Sequence, residues 1–220
     1  MIAPVKVVKS ALLAHLVSSV AAPFVANAAA GSTMLTAVSV TADLFAGLPV
    51  FGPGIPSATV ITEIDPVAGI IGLSETVTKD GTDVGFTTGF QTSGGRLQTW
   101  NKVSAQPALF LRRIAMLDEA FNDGLIRTTI EFQAWLYCNS GQNPEVDPDE
   151  MLSAVEALVR NAMAPDLYDE DDGRFTLRAA MEDLGQPPVF WARIQGRSEI
   201  SAGEIGSQAI AIIPIRVTLP

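Results

Sequence analysis

Ile126-Arg127-Thr128-Thr129-Ile130-Glu131-Phe132-Gln133-Ala134-Trp135-Leu136-Tyr137 alternates from end to end. Successive side chains of an extended strand point to opposite faces. Ile126, Thr128, Ile130, Phe132, Ala134 and Leu136 therefore share one face, which is apolar enough to pack on helices. Arg127, Thr129, Glu131, Gln133, Trp135 and Tyr137 share the other. That face is polar with two aromatics, so it is expected to be exposed or to meet a partner.

The sequence around this strand supplies what it needs to pack against. Downstream, Asp147 suits a helix N-cap, Pro148 the first helical position and Glu150 the reciprocal place of a capping box. The helix Pro148–Met163 buries Leu152, Val155, Leu158, Val159 and Ala162. Arg174 to Gly185 reads as a short helix carrying Leu177, Met181 and Leu184, stopped by Pro187-Pro188. Two strands close the chain, Val189–Ile194 and Gln208–Thr218, with a hairpin loop marked by Gly203 and Gly206. The last strand is apolar on both faces, with Ala211, Ile213, Ile215 and Val217 on one of them. Pro214 cannot donate to a ladder, so the strand is expected at an edge or a bulge. An apolar edge strand points to contact with another subunit.

Upstream, Gln106-Pro107 launches a short strand, Ala108–Leu111. Arg112-Arg113 follow, and Met116 to Phe121 reads as a short helical turn or loop. Ser93-Gly94-Gly95 forms a hinge. Between Met34 and about Phe90 the composition changes to Val, Ile, Thr and Gly, with no helical period. Short apolar runs there are separated by Gly52-Pro53-Gly54, Asp65-Pro66, Gly69 and Asp80-Gly81. The fold expected is α+β: an antiparallel sheet flanked by helices, built from residues 1–33 and 91–220. Residues 34–90 form an inserted small all-β domain, a β-sandwich or barrel-like module. Residues 23–33 read as a linker.

The first residues admit two readings. Lys6 and Lys9 precede the apolar run Ala11 to Val25, and Ala26-Asn27-Ala28 has the small-x-small form of a leader cleavage site. Alternatively Val5, Val8, Leu12, Leu13, Leu16 and Val20 line one side of an amphipathic helix, opposite Lys6, Ser10, Ala14 and Ser18. The run is too short and broken to span a bilayer. A helix docked on the sheet is the reading taken.

Chemistry-bearing residues are few. The chain has 220 residues, one histidine (His15), one cysteine (Cys138) and a formal net charge of -10. A protein that wraps the nucleic-acid backbone needs clustered lysine and arginine, which this balance does not favour. A single cysteine excludes an intrachain disulfide and a cysteine-based zinc site. No Gly-Lys-Ser/Thr loop is present, and no catalytic constellation stands out, so an enzyme and a cofactor are not expected.

Asp166, Asp169, Glu170, Asp171 and Asp172 form the densest charge feature. A calcium loop fails on template, since Gly173 as the turn glycine puts Tyr168 and Ala179 at ligand positions. A solvated loop is expected, or the acidic lining of a lumen if copies form a ring. Arg112 and Arg113 are candidates to pair with that loop on a neighbouring subunit. Trp135, Tyr137, Ile213 and Ile215 are the other candidate subunit-interface residues. Trp100 and Trp191 are expected in the core or an interface.

The ordered set of these segments resembles the tail terminators of tailed bacteriophages. It is carried by the N-terminal helix, Gln106-Pro107-Ala108-Leu109-Phe110, Glu131–Tyr137, the Pro148–Met163 helix, Arg193-Ile194-Gln195-Gly196, and Ala209–Ile215. The module from about Met34 to Gly89 departs from short terminators. Its run Gly47–Pro56 followed by Thr59-Val60-Ile61 resembles a β-module of phage and bacterial surface proteins. The terminator resemblance implies a hexameric ring at the head-proximal end of the tail tube, a virion component assembled in the host cytoplasm. It implies as partners further copies of the chain, the tail tube protein and a neck or head–tail connector protein. DNA would only pass through the lumen, and no membrane is involved. Two other readings are a different head–tail connector or decoration protein, and a secreted β-rich binding module with a cleaved leader.

Overall fold

The computed structural model describes residues 5–18, 20–41, 44–57, 59–98, 102–103, 106–120, 126–139, 148–163, 191–202 and 208–219. The Arg174–Gly185 helix, the Asp147 cap, Trp100 and the acidic run from Asp166 to Asp172 lie outside them. A first helix, α1 (Val5–Ser18), leads into six strands: β1 (Pro23–Ala28), β2 (Met34–Thr36), β3 (Val50–Phe51), β4 (Ile61–Asp65), β5 (Ile70–Leu73) and β6 (Gly81–Thr88). Then follow β7 (Thr92–Gly94), β8 (Ala108–Ala120), β9 (Ile126–Asn139), α2 (Pro148–Ala162), β10 (Trp191–Ile194), β11 (Glu199–Ala202) and β12 (Gln208–Leu219).

The first six strands pair antiparallel in the order β3-β6-β1-β2-β5-β4. The two ends of that order meet. Gly47 N donates to Ile61 O at 2.8 Å, Ile61 N to Leu48 O at 2.9 Å, and Val50 N to Thr59 O at 3.0 Å. The sheet thus closes on itself as a small barrel, which removes its exposed edges. Its interior is filled by Phe24, Ala26, Leu35, Leu48, Val50, Ile61, Ile71 and Phe86, among others. Phe24 and Phe86 stack at 5.6 Å between centroids. Residues 23–33 are therefore no simple linker: β1 sits between β2 and β6 and puts Phe24 and Ala26 into the barrel.

The second sheet runs β10-β12-β9-β8-β7, with β11 also on β12. Here β9 and β12 pair over twelve residues, from Asn139↔Gln208 to Thr128↔Leu219. The apolar face of β9 is buried as the alternation requires: Ile130, Phe132, Ala134 and Leu136 lie in one core with Ala211, Ile213, Ile215 and Val217. Both helices cover this face. From α1 come Val8, Ala11, Leu12 and Leu16, and from α2 come Leu152, Val155 and Val159. Burying each such aliphatic side chain is worth roughly 1.5–3 kcal/mol. The lone His15 joins the helices, its Nε2 donating to the Ala162 carbonyl at 2.8 Å.

The α+β expectation is corrected. Among the described residues half lie in strands and 17% in helices, and there are two multi-stranded sheets. The helices cover a single face of the second one. Two segments account for the difference. Residues 23–28 are poor in β-branched side chains, yet they become a strand because neighbours on both sides offer ladders. Met116 to Ala120, read as a helical turn or loop, extends β8 because β9 pairs with it as far as Ala120↔Ile126.

β12 is a second correction. It is an interior strand, with β9 along one edge and β10 and β11 along the other. Pro214 is tolerated because it falls between the last residue paired with β10, Ile215, and the first paired with β11, Ile212. Its missing N–H therefore falls at a break between two ladders rather than within a continuous one.

Candidate functional site

β8 becomes the edge of its sheet partway along. β7 runs parallel to it only from Ala108 to Phe110. Ala108 to Leu111 are buried, and every residue from Arg112 to Ala120 is exposed. The far half of β8, paired on one side with β9 as far as Ala120↔Ile126, is therefore an exposed edge arm of the sheet, with no strand on its other side among the described residues. It exposes the large apolar side chains of Ile114 (46%), Met116 (49%) and Leu117 (55%) on β8, and Ile126 (52%) at the start of β9. Scattered apolar exposure is ordinary, but a cluster on an unpaired edge marks a contact surface.

At the base of the arm lies a basic groove. Lys6 and Lys9 of α1, Arg96 after β7, and Arg112 and Arg113 of β8 line it together. The described ion pairs, Glu156–Arg160 and Glu131–Arg216, lie elsewhere. Lys9 Nζ donates to the Gly95 carbonyl. Its ammonium is held below the usual lysine range, first by partial burial and then by the neighbouring Arg113 charge. Five gathered cations on a chain of net charge -10 make this groove the place where an anionic surface would dock.

The other sequence-derived candidates fall in three places. Ile213 and Ile215 are 0% and 1% exposed, inside the chain's own core, so they are not surface residues. Tyr137 is buried at 2% on the opposite face of the sheet, where residues of the chain itself cover it. It meets Phe110 edge-on at 5.7 Å, and its hydroxyl donates to Gln98 O at 3.3 Å. That enclosure pushes its phenol above the usual range. Trp135 is half-buried and stacks on Tyr137 at 6.4 Å. Of the candidates, Arg112 and Arg113 alone are exposed in the described structure. Asp166, Asp169, Glu170, Asp171 and Asp172 lie outside the described residues.

Sequence reasoning missed the arm and the gathering of Lys6, Lys9 and Arg96 with the two arginines. The signal for the arm was present. Arg112-Arg113-Ile114-Ala115-Met116-Leu117-Asp118-Glu119 is two cations, four apolar residues and two anions in order.

Among the described residues no group of His, Cys, Asp and Glu is placed to hold a metal, and no helix is long and apolar enough to cross a membrane. No protein-family model and no curated protein matches the sequence.

Proposed function

We propose that the chain is a structural virion protein of the tail-terminator kind. Six copies would close into a ring at the head-proximal end of the tail tube, end its polymerisation and present a surface to the neck or head–tail connector protein. Its work is adhesion, without a cofactor or bond-making step.

The observation that carries this reading is the exposed arm. A strand edge without a partner among the described residues, bearing exposed apolar side chains, is a template for another chain. The adjoining basic groove supplies a second surface of different chemistry, and ring closure requires two unlike surfaces on each copy. The acidic sequence 166–172 is the complementary charge available on a neighbouring copy. The order of segments supports the same reading. The closed barrel of β1–β6 adds a module that buries its own edges, which suits an appendage more than a polymerising element.

The packing weighs against a secreted module with a cleaved leader. Cleavage at Ala26-Asn27-Ala28 would cut β1 and remove α1, whose Val8, Leu12 and Leu16 are fully buried. The test is tube length. Purified tail tube protein polymerised with this chain should give tubes of limited length ending in ring-shaped caps under the electron microscope. Tubes of unchanged length and bare ends would contradict the proposal.

A further inference from the structure

Among the described residues the outer edge of β8 has no strand partner from Leu111 onward, and the direction of its backbone groups follows from the ladders. Pro214 O accepts from Gln195 N, on the β10–β11 side of β12. In an antiparallel strand the N–H and C=O of one residue point to the same side. Pro214 therefore turns away from its β9 partner Gln133, and Gln133 turns its own groups toward Arg112 on β8. Alternation then points the groups of Arg113 outward. The register shifts between Arg113 and Ala115, so Ile114 is an extra residue that shares one ladder position with Ala115. Past this bulge, Met116 and Asp118 point outward, since Ala115 and Leu117 oppose Glu131 and Thr129, which share Gln133's alternation.

This edge is complementary to itself. Arg112 to Glu119 is an even number of residues and has no central one. With Ile114 and Ala115 sharing a position, the count of ladder positions becomes odd and Met116 is the middle. Two copies run antiparallel about a two-fold axis at Met116 then meet in step. Met116 faces its counterpart, Arg113 faces Asp118, Arg112 faces Glu119, and Ala115 faces Leu117. The outward backbone groups of Arg113, Met116 and Asp118 all find partners. Arg113 and Asp118 lie on one face of the joined sheet, Arg112 and Glu119 on the other. Thr128 Oγ1 donates to Asp118 Oδ1 at 2.6 Å, which holds that carboxylate over the strand. A parallel arrangement in register would instead stack like charges, which is unfavourable.

We propose that β8 is a homotypic docking edge, through which a second copy of this chain pairs antiparallel about Met116 to continue the sheet across both molecules. The contact is isologous: one patch meets itself and closes at two copies. It takes the backbone edge of β8, so the heterologous ring contact of the proposed function would use the side-chain faces of the arm and the basic groove, and either contact can form without the other. The charges at either end select for it, because an unrelated strand would leave them unmatched or opposed.

Oxidative cross-linking of the full chain tests this. Cys138 is fully buried and stays out of the reaction. Met116→Cys should give a disulfide-linked dimer. Val67→Cys, at a position 97% exposed in the β4–β5 turn, should give far less. In sedimentation equilibrium, Arg113→Asp and Asp118→Arg should each weaken dimerisation at least about tenfold. The double variant carrying both should recover to within about threefold of the parent, because the pairing is restored with its signs exchanged. Circular dichroism confirms that each variant is folded. Equal cross-linking at positions 116 and 67, or a double variant as weak as the singles, would overturn the pairing. Rings without the Met116→Cys cross-link would sink this inference and leave the terminator reading standing; the cross-link without rings would do the reverse.

Discussion

The carbonyl of Pro214 accepts a hydrogen bond from the Gln195 amide at 3.0 Å, in the gap where β12 passes from β10 to β11. A proline in the middle of a six-stranded sheet is thus accommodated at a break between two ladders, with its carbonyl still bonded. Replacing Pro214 with Ala should change the unfolding free energy by less than about 1 kcal/mol, since the ladder is already broken at this position. Ile213→Pro is the contrasting variant. Ile213 is fully buried and pairs with Ala134, so the change removes a ladder donor and core volume together. Urea denaturation should show a loss of more than about 3 kcal/mol.

Thr88 ties α1 and the barrel together. Its hydroxyl donates to Val20 O at 3.0 Å and accepts from Ala22 N at 3.1 Å, and it is 2% exposed. Thr88→Val keeps the shape and removes both bonds. The backbone groups left behind are shielded from water, so a cost of about 1–3 kcal/mol in chemical denaturation is expected. A cost near zero would show that this joint is wet.

Two glycines with positive φ separate backbone freedom from crowding. Gly31 has φ +82 with nothing near an added Cβ, whereas Gly54 has φ +76 and its Cβ would lie 2.9 Å from Lys79 N. Alanine at either position should cost about 1 kcal/mol from the left-handed conformation. Gly54→Ala should cost measurably more than Gly31→Ala, because Lys79 must move. Thermal melts of the two variants compare them directly.

Burial pushes the Cys138 thiol far above its ordinary range. The folded protein should resist thiol reagents at neutral pH and react only on unfolding. The sign of the stability effect follows. The unfolded chain loses this proton above its ordinary thiol pKa while the folded chain keeps it, so stability is full below that pH and falls as pH rises. Lys9 has the opposite sign. Its folded pKa is depressed below 10.5, so between the two values the unfolded chain binds more protons and stability rises with pH. Melting temperatures of the parent and Lys9→Met should therefore shift in the parent's favour as pH climbs toward 10.5.

What the sequence revealed and what it concealed have physical causes. The alternation of Ile126–Tyr137 survived as β9 because one face is fully buried, and burial enforces a period of two. The apolar side of Pro148–Met163 marked α2 because a helix is specified locally. Thr59–Ile64 and its turns marked the barrel strands. The Ala-rich β1 was not legible, since its strand state comes from β2 and β6 rather than from its own side chains. The end of β8 was hidden for a related reason: an arm exposed on both faces has no inside and outside to alternate between. The edge placement of β12 failed because Pro214 marks a gap between two neighbours, and sequence cannot tell such a gap from an edge. The basic groove needed three elements brought together in space, and its charges are far apart along the chain.

Native mass spectrometry of the full chain across a concentration series reads its assembly without labels or variants. Dimers and closed six-copy species should appear and grow with concentration. Single chains at every concentration would contradict this assembly.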